Sequence, residues 1–166
     1  MRPVIVLTAM TLLVRGAAAQ SLTVQQLNAV PDWAKRVIER PAFANVYDLD
    51  GHLNPFCQRG DFDGDGKLDF AVIVRERSSG KTGIAFIHHS TGAFYIIGAG
   101  RPGNHGDDYA WIDAWSVFDK DVVPLGAGEG PPPKLKGDAL LIFKTEAASA
   151  LLWWTGSGYR WYQQGD

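Results

Sequence analysis

The stretch GDFDGDGKLDFAVIV, Gly60 to Val74, carries the densest pattern in the chain. Asp61, Asp63, Asp65 and Asp69 stand at positions 1, 3, 5 and 9 of a short loop, with Gly66 at position 6. The odd spacing lets a tight loop aim alternate side chains at one centre, and a glycine at position 6 permits the sharp turn that closes it. Carboxylates packed this closely repel one another unless something positive sits between them. The backbone carbonyl of Lys67, at position 7, adds a neutral oxygen. An all-oxygen set of this kind suits a hard cation such as Ca²⁺. Phe70 to Val74 then follows as an apolar, β-branched run that reads as a strand.

Reading outward from this loop, the chain continues as strands separated by short turns. Leu68 to Arg75, Gly83 to His88 and Ala93 to Ile97 are apolar segments punctuated by Ser78-Ser79-Gly80-Lys81 and Ser90-Thr91-Gly92. Asp138 to Lys144, Ala150 to Thr155 and Tyr159 to Gln163 repeat the arrangement near the C-terminus. Trp111 to Phe118 reads as a strand or an irregular packed segment, and the Gly- and Pro-rich 124–137 stretch as a surface loop. Strands joined by turns, with no helical connectors between them, predict a mainly β fold: an antiparallel meander, as a twisted sheet, two small sheets or a small open barrel. One short helix is expected before it, over Pro31 to Arg40, preceded by a mixed polar-apolar stretch, Ser21 to Val30, that reads as no more than a loose helical turn. Val30, Trp33, Val37 and Ile38 form its apolar stripe, Pro41 ends it, and it caps an edge or face of the sheet. A further short strand is expected around Phe43 to Tyr47.

The first nineteen residues carry the marks of a secretory signal. Arg2 precedes an apolar run from Pro3 to Val14, and Ala17-Ala18-Ala19 offers a cleavage site. The run is shorter than the ~20 residues of a membrane span. Residues 20–166 are then one exported domain, secreted or periplasmic, with no transmembrane anchor after cleavage. Apolar content of 46% against 20% charged residues is that of a globular domain. A formal charge of −2 and the lack of a basic stripe argue against nucleic acid as a partner. Cys57 is the only cysteine, so no internal disulfide can form. Between Pro55-Phe56 and the strand region, it reads as a small buried hydrophobe.

Gly60 to Val74 resembles the FG-GAP or VCBS type of repeat found in integrin-like propellers and in many exported bacterial proteins. The match runs residue for residue through Gly60, Asp61, Phe62, Asp63, Gly64, Asp65, Gly66 and Asp69 into the apolar strand. The resemblance implies a Ca²⁺ held by Asp61, Asp63, Asp65 and Asp69 with the Lys67 carbonyl. An EF-hand is excluded, because position 12 is Val72 and a strand follows rather than a helix. One copy is present. A propeller needs at least about four blades of some 40–50 residues each, which a chain of this length cannot supply.

Three other sets of residues invite a functional reading. Asp48-Leu49-Asp50-Gly51-His52 is acidic enough to suggest a degenerate cation loop, although a plain turn fits it better. His105, Asp107 and Asp108 share a Gly-rich loop where a base and an orienting carboxylate could form a small hydrolase site for the cell envelope or its glycans. No nucleophile motif accompanies them, so no catalytic residue is assigned. His88 and His89, adjacent at a strand end, read as surface or turn residues. Trp111, Trp115, Trp154 and Trp161 belong to an aromatic set that reads first as a two-layer core and second as a surface for an envelope protein or polysaccharide. The expectation is a non-enzymatic Ca²⁺-binding β protein that engages a macromolecule.

Overall fold

The structure is a computed structural model that describes residues 22–103, 105–128 and 130–165. The expected signal, 1–19, lies outside the described residues. Among those described, three short helices precede nine strands: α1 (Val24–Ala29), α2 (Asp32–Ile38), α3 (Pro41–Ala44), then β1 (Tyr47–Leu49), β2 (Cys57–Gly60), β3 (Asp69–Glu76), β4 (Thr82–Ile87), β5 (Phe94–Gly98), β6 (Ala114–Phe118), β7 (Ala139–Lys144), β8 (Ala148–Trp154) and β9 (Tyr159–Gly165). No helix among the described residues is long and apolar enough to cross a membrane.

All strand pairs are antiparallel, as the turn-separated pattern predicted, and they form two sheets rather than a barrel. In the first sheet β4 lies between β3 and β5, and the far edge of β3 is shared. β2 pairs with its first half, from Gly60↔Asp69 to Cys57↔Val72, and β1 with its second, from Leu49↔Val74 to Tyr47↔Glu76. The second sheet runs β6-β7-β8-β9 in chain order.

Alternation along each strand sorts the side chains into layers. Ala71 and Ile73 of β3 and Ile84 and Phe86 of β4 meet Leu140 and Ile142 of β7 and Ala150 and Leu152 of β8 between the sheets. The opposite face of β3 and β4, with Phe70, Val72, Val74, Ala85 and Ile87, packs under Val30, Ala34, Val37 and Phe43 of the helical segment. Both faces of β3 are therefore covered, which explains why Phe70 to Val74 is continuously apolar instead of alternating. The outer face of the second sheet is covered more thinly, by Val123 and Leu135 against Ala139, Leu151 and Tyr162.

The helical segment corrects the single helix expected from sequence. α1 forms ahead of it, secured by a capping box in which the Thr23 side chain accepts from Gln26 N–H and Gln26 Oε1 accepts from Thr23 N–H. Pro41 does not close the helical region. It sits in the first turn of α3, where its missing N–H costs nothing. Phe43 is consequently helical and fully buried, and the expected strand at 43–47 shrinks to β1, starting at Tyr47. β2 was hidden in sequence because Cys57-Gln58-Arg59 has little β character and is a strand through its pairing with β3, with Gln58 Nε2 also donating to the Trp115 carbonyl of β6 at 3.1 Å.

Candidate metal site

The 60–69 loop sits where the two sheets meet. The alternation Asp-Phe-Asp sends Phe62 inward and its acidic neighbours outward. Phe62 is fully buried between the sheets and meets Phe86 edge-on at 5.3 Å. Asp61 N–H donates to Asp138 Oδ2 at 2.8 Å, and Asp138 N–H donates to the Asp61 carbonyl at 2.7 Å, which ties the loop to the start of β7. The contact leaves no room for side chains. A Cβ on Gly137 would lie 2.1 Å from the Asp61 carbonyl oxygen, and one on Gly64 would lie 2.9 Å from the Lys136 carbonyl carbon. Gly66 turns the loop with φ +88°, a conformation open to glycine at little cost.

Within the loop, Asp61, Asp63 and Asp65 each offer a carboxylate oxygen, all within 4.8 Å of one another. Backbone donors organise them. Asp61 accepts from the N–H groups of Asp65 (2.9 Å) and Gly66 (3.0 Å), Asp63 from that of Asp65 (3.1 Å), and Asp65 from that of Lys67 (2.9 Å). Hydrogen bonds from the Ser90 hydroxyl and the Lys67 N–H hold the Asp65 carboxyl below the usual carboxylate range. Among the described residues, neither lysine nor arginine forms an ion pair with Asp61, Asp63, Asp65 or Asp69.

Asp69 stands apart from that trio and belongs to an inner group. It is fully buried, accepts from Asp63 N–H at 3.2 Å and from His89 N–H at 2.8 Å, and groups within 4.8 Å with Asp63 and His88. Burial pushes its carboxyl up to about 7, with the Asp63 and Asp65 charges pushing the same way against those two hydrogen bonds. A buried carboxylate in this state lacks a countercharge.

His88 corrects the surface reading made from sequence. Its ring is buried, with Nδ1 3.2 Å from Asp63 Oδ2 and Nε2 2.8 Å from the Tyr159 hydroxyl. Burial lowers its pKa against the pull of Asp63 and Asp65, which favours the neutral imidazole. His89 faces the other way and stacks on Trp33 at 4.3 Å. Nothing in the adjacent pair His88-His89 marks one of them as part of the loop. That follows from the β4–β5 turn folding over positions 63–69.

The remaining candidates separate from this site. Asp48 pairs with Arg77 at 2.6 Å and Asp50 with Arg75 at 2.5 Å and His52 at 2.7 Å, so the 48–52 turn is neutralised by the protein itself. Asp107 pairs with Lys81, Asp108 accepts from the N–H groups of Thr82 (2.9 Å) and Ala110 (3.1 Å), and His105 stacks on Trp161 at 4.4 Å. Among the described residues no hydrogen bond joins His105 to Asp107. His105 instead lines a cleft of about 470 Å³ with Tyr109, Tyr159, Arg160 and Trp161.

The aromatic set divides. Trp115 is only 4% exposed and donates through Nε1 to the Pro55 carbonyl at 2.8 Å, so it is core and not partner surface. Trp111 and Trp161 are half-buried against the inter-sheet layer, and Trp154 is half-buried against His88 and Tyr95. Cys57 is half-buried rather than fully buried in β2, and burial pushes its thiol up, away from the reactive thiolate.

No family model, curated protein or solved structure matches this chain. The functional reading therefore rests on the geometry of the loop.

Proposed function

We propose that this chain is an exported, non-enzymatic Ca²⁺-binding β protein. The ion would be held by Asp61, Asp63 and Asp65 with the Lys67 carbonyl, in front of the buried Asp69, and it would fasten the seam between the two sheets. The observation that carries this reading is the convergence of Asp61, Asp63 and Asp65 oxygens within 4.8 Å, with no lysine or arginine among the described residues paired to them, in a loop bonded to the second sheet through Asp138. A divalent cation there offsets the mutual repulsion and holds Phe62 in its slot. Its role is then structural, in keeping with extracellular modules that bind Ca²⁺ with Kd of about 10⁻⁴–10⁻³ M.

The hydrolase alternative near His105 and Asp107 loses support, because Lys81 holds the carboxylate and Trp161 holds the ring. A macromolecular partner, an envelope protein or a polysaccharide, would meet the half-exposed aromatics. Trp111 and Trp161, 6.0 Å apart beside the His105 cleft, are the better placed of them, and Trp115 is removed.

The test is thermal unfolding of chelator-treated protein with and without 1 mM Ca²⁺ (~10 Kd at Kd ~10⁻⁴ M). Binding of that strength stabilises by about 1.4 kcal/mol, which raises Tm by roughly 2–4 °C in a domain of this size. Asp61→Asn together with Asp65→Asn removes the shift. An unchanged Tm in the wild-type protein overturns the reading.

A further inference from the structure

The calcium loop does not use the histidine that the fold brings to it. His88 closes over the loop from the β4–β5 turn, with its side chain 3% exposed. Asp63, Asp69 and His88 each present one ligand atom within 4.8 Å of the others, and Asp63 is common to this group and to the outer Asp61–Asp63–Asp65 group. We propose that Asp63, Asp69 and His88 form a second, inner site for a zinc-class divalent ion, adjoining the oxygen-only outer site and sharing Asp63 with it. The inference depends on the calcium reading only through that shared carboxylate.

Three features support it. The first is ligand chemistry. Calcium takes oxygen ligands, whereas an imidazole nitrogen with two carboxylates suits a borderline cation such as Zn²⁺. Three protein ligands also leave the fourth tetrahedral position for water. The second is geometry. Tetrahedral bonds of 2.0–2.1 Å set neighbouring ligand atoms about 3.4 Å apart, and His88 Nδ1 lies 3.2 Å from Asp63 Oδ2. The third is the support around the ligands. The Tyr159 hydroxyl, 2.8 Å from Nε2, can accept the ring proton and leave the Nδ1 lone pair facing the carboxylate. The N–H groups of Asp63 and His89 fix the buried Asp69 carboxylate and leave it further lone pairs. Tyr95 and Trp154, with ring centres 4.7 and 4.8 Å from His88, wall the imidazole from solvent.

The experiment titrates the full chelator-treated chain with Zn²⁺ in millimolar Ca²⁺ by calorimetry, and with Co²⁺ by visible absorption. The expected result is one Zn²⁺ per chain and cobalt ligand-field bands in the visible. His88→Gln should abolish the bands and weaken Zn²⁺ by about 30-fold, while the Ca²⁺-dependent Tm shift persists. Tyr159→Phe keeps the ring packing and removes only the supporting hydroxyl. It should cost roughly 10-fold in Zn²⁺ affinity, and it keeps the test decisive if His88→Gln does not fold. Asp61→Asn should remove the Ca²⁺ response and leave Zn²⁺ binding within about 3-fold. No Zn²⁺ uptake by the wild type, or unaltered uptake by the His88 and Tyr159 variants, overturns the inner site whatever Ca²⁺ does. Zn²⁺ binding lost with His88 but no Ca²⁺ response overturns the calcium reading alone.

Discussion

Two loops of this protein are rich in glycine and aspartate, 60–69 and 103–109, and the fold treats their charges in opposite ways. In the second loop each carboxylate has its own protein partner, Lys81 for Asp107 and two backbone N–H groups for Asp108. In the first, the carboxylates face one another and share backbone donors, and among the described residues the one basic side chain that reaches them is the His88 imidazole. The difference lies in where each loop sits. The second lies beside Lys81 at the start of β4. The first is wedged by Phe62 and Asp138 into the seam between sheets, where no lysine or arginine among the described residues pairs with it. Aspartate count does not separate the two loops. The presence or absence of an internal countercharge does.

The largest effect on this contrast should come from Phe62→Ala. Phe62 is the fully buried anchor that positions Asp61 and Asp63, and truncating a buried phenylalanine costs about 3–5 kcal/mol. Urea unfolding should show that loss, with the Ca²⁺-dependent Tm shift reduced alongside it. A variant that loses stability yet keeps the full shift would show that the loop holds its geometry without the anchor.

A smaller effect is expected at the second loop. Lys81→Met leaves Asp107 unopposed at the surface, and neighbouring side chains of an exposed pair contribute little. The unfolding midpoint should stay within error, and the Ca²⁺-dependent shift should not exceed that of the wild type, since Asp108 remains occupied by Thr82 and Ala110. A shift larger than the wild-type one would mean that one missing lysine is all that separates the two loops.

The smallest effect belongs to Asp113, a third acidic position that the protein neutralises by itself. The Thr145 N–H, the Lys144 ammonium and the Thr145 hydroxyl hold its carboxyl down at about 2, against an ordinary value of 3.8. A depressed carboxyl contributes its stability above the unfolded value and loses it as pH falls through the folded one. Urea midpoints measured from pH 4 down to pH 2 should therefore fall less steeply in Asp113→Asn than in the wild type. Equal slopes would show that the contact contributes nothing to the β7–β8 hairpin.

Much of this arrangement is local and could be read along the chain. Gly- and Ser-rich turns between β-branched runs located β3, β4, β5, β7, β8 and β9, because a hairpin is specified by its own turn and alternation. The loop spacing brought out Asp61, Asp63 and Asp65, whose convergence is set within a few residues, whereas Asp69, expected with them, groups with Asp63 and His88. The rest depended on contacts between distant segments. β1 and β2 are strands only because β3 offers an edge, and Pro41 starts a helix because Phe43 has a buried slot to fill. His88 joins the aspartates, Trp115 enters the core and Asp107 finds Lys81 through packing between elements that no local pattern encodes. The sequence alone determined the antiparallel class and the cluster of negative charge, since both follow from near neighbours. Tertiary structure decided which charges were cancelled, which aromatics were buried and which histidine reached the loop, since those depend on desolvation and distance between elements far apart in the chain.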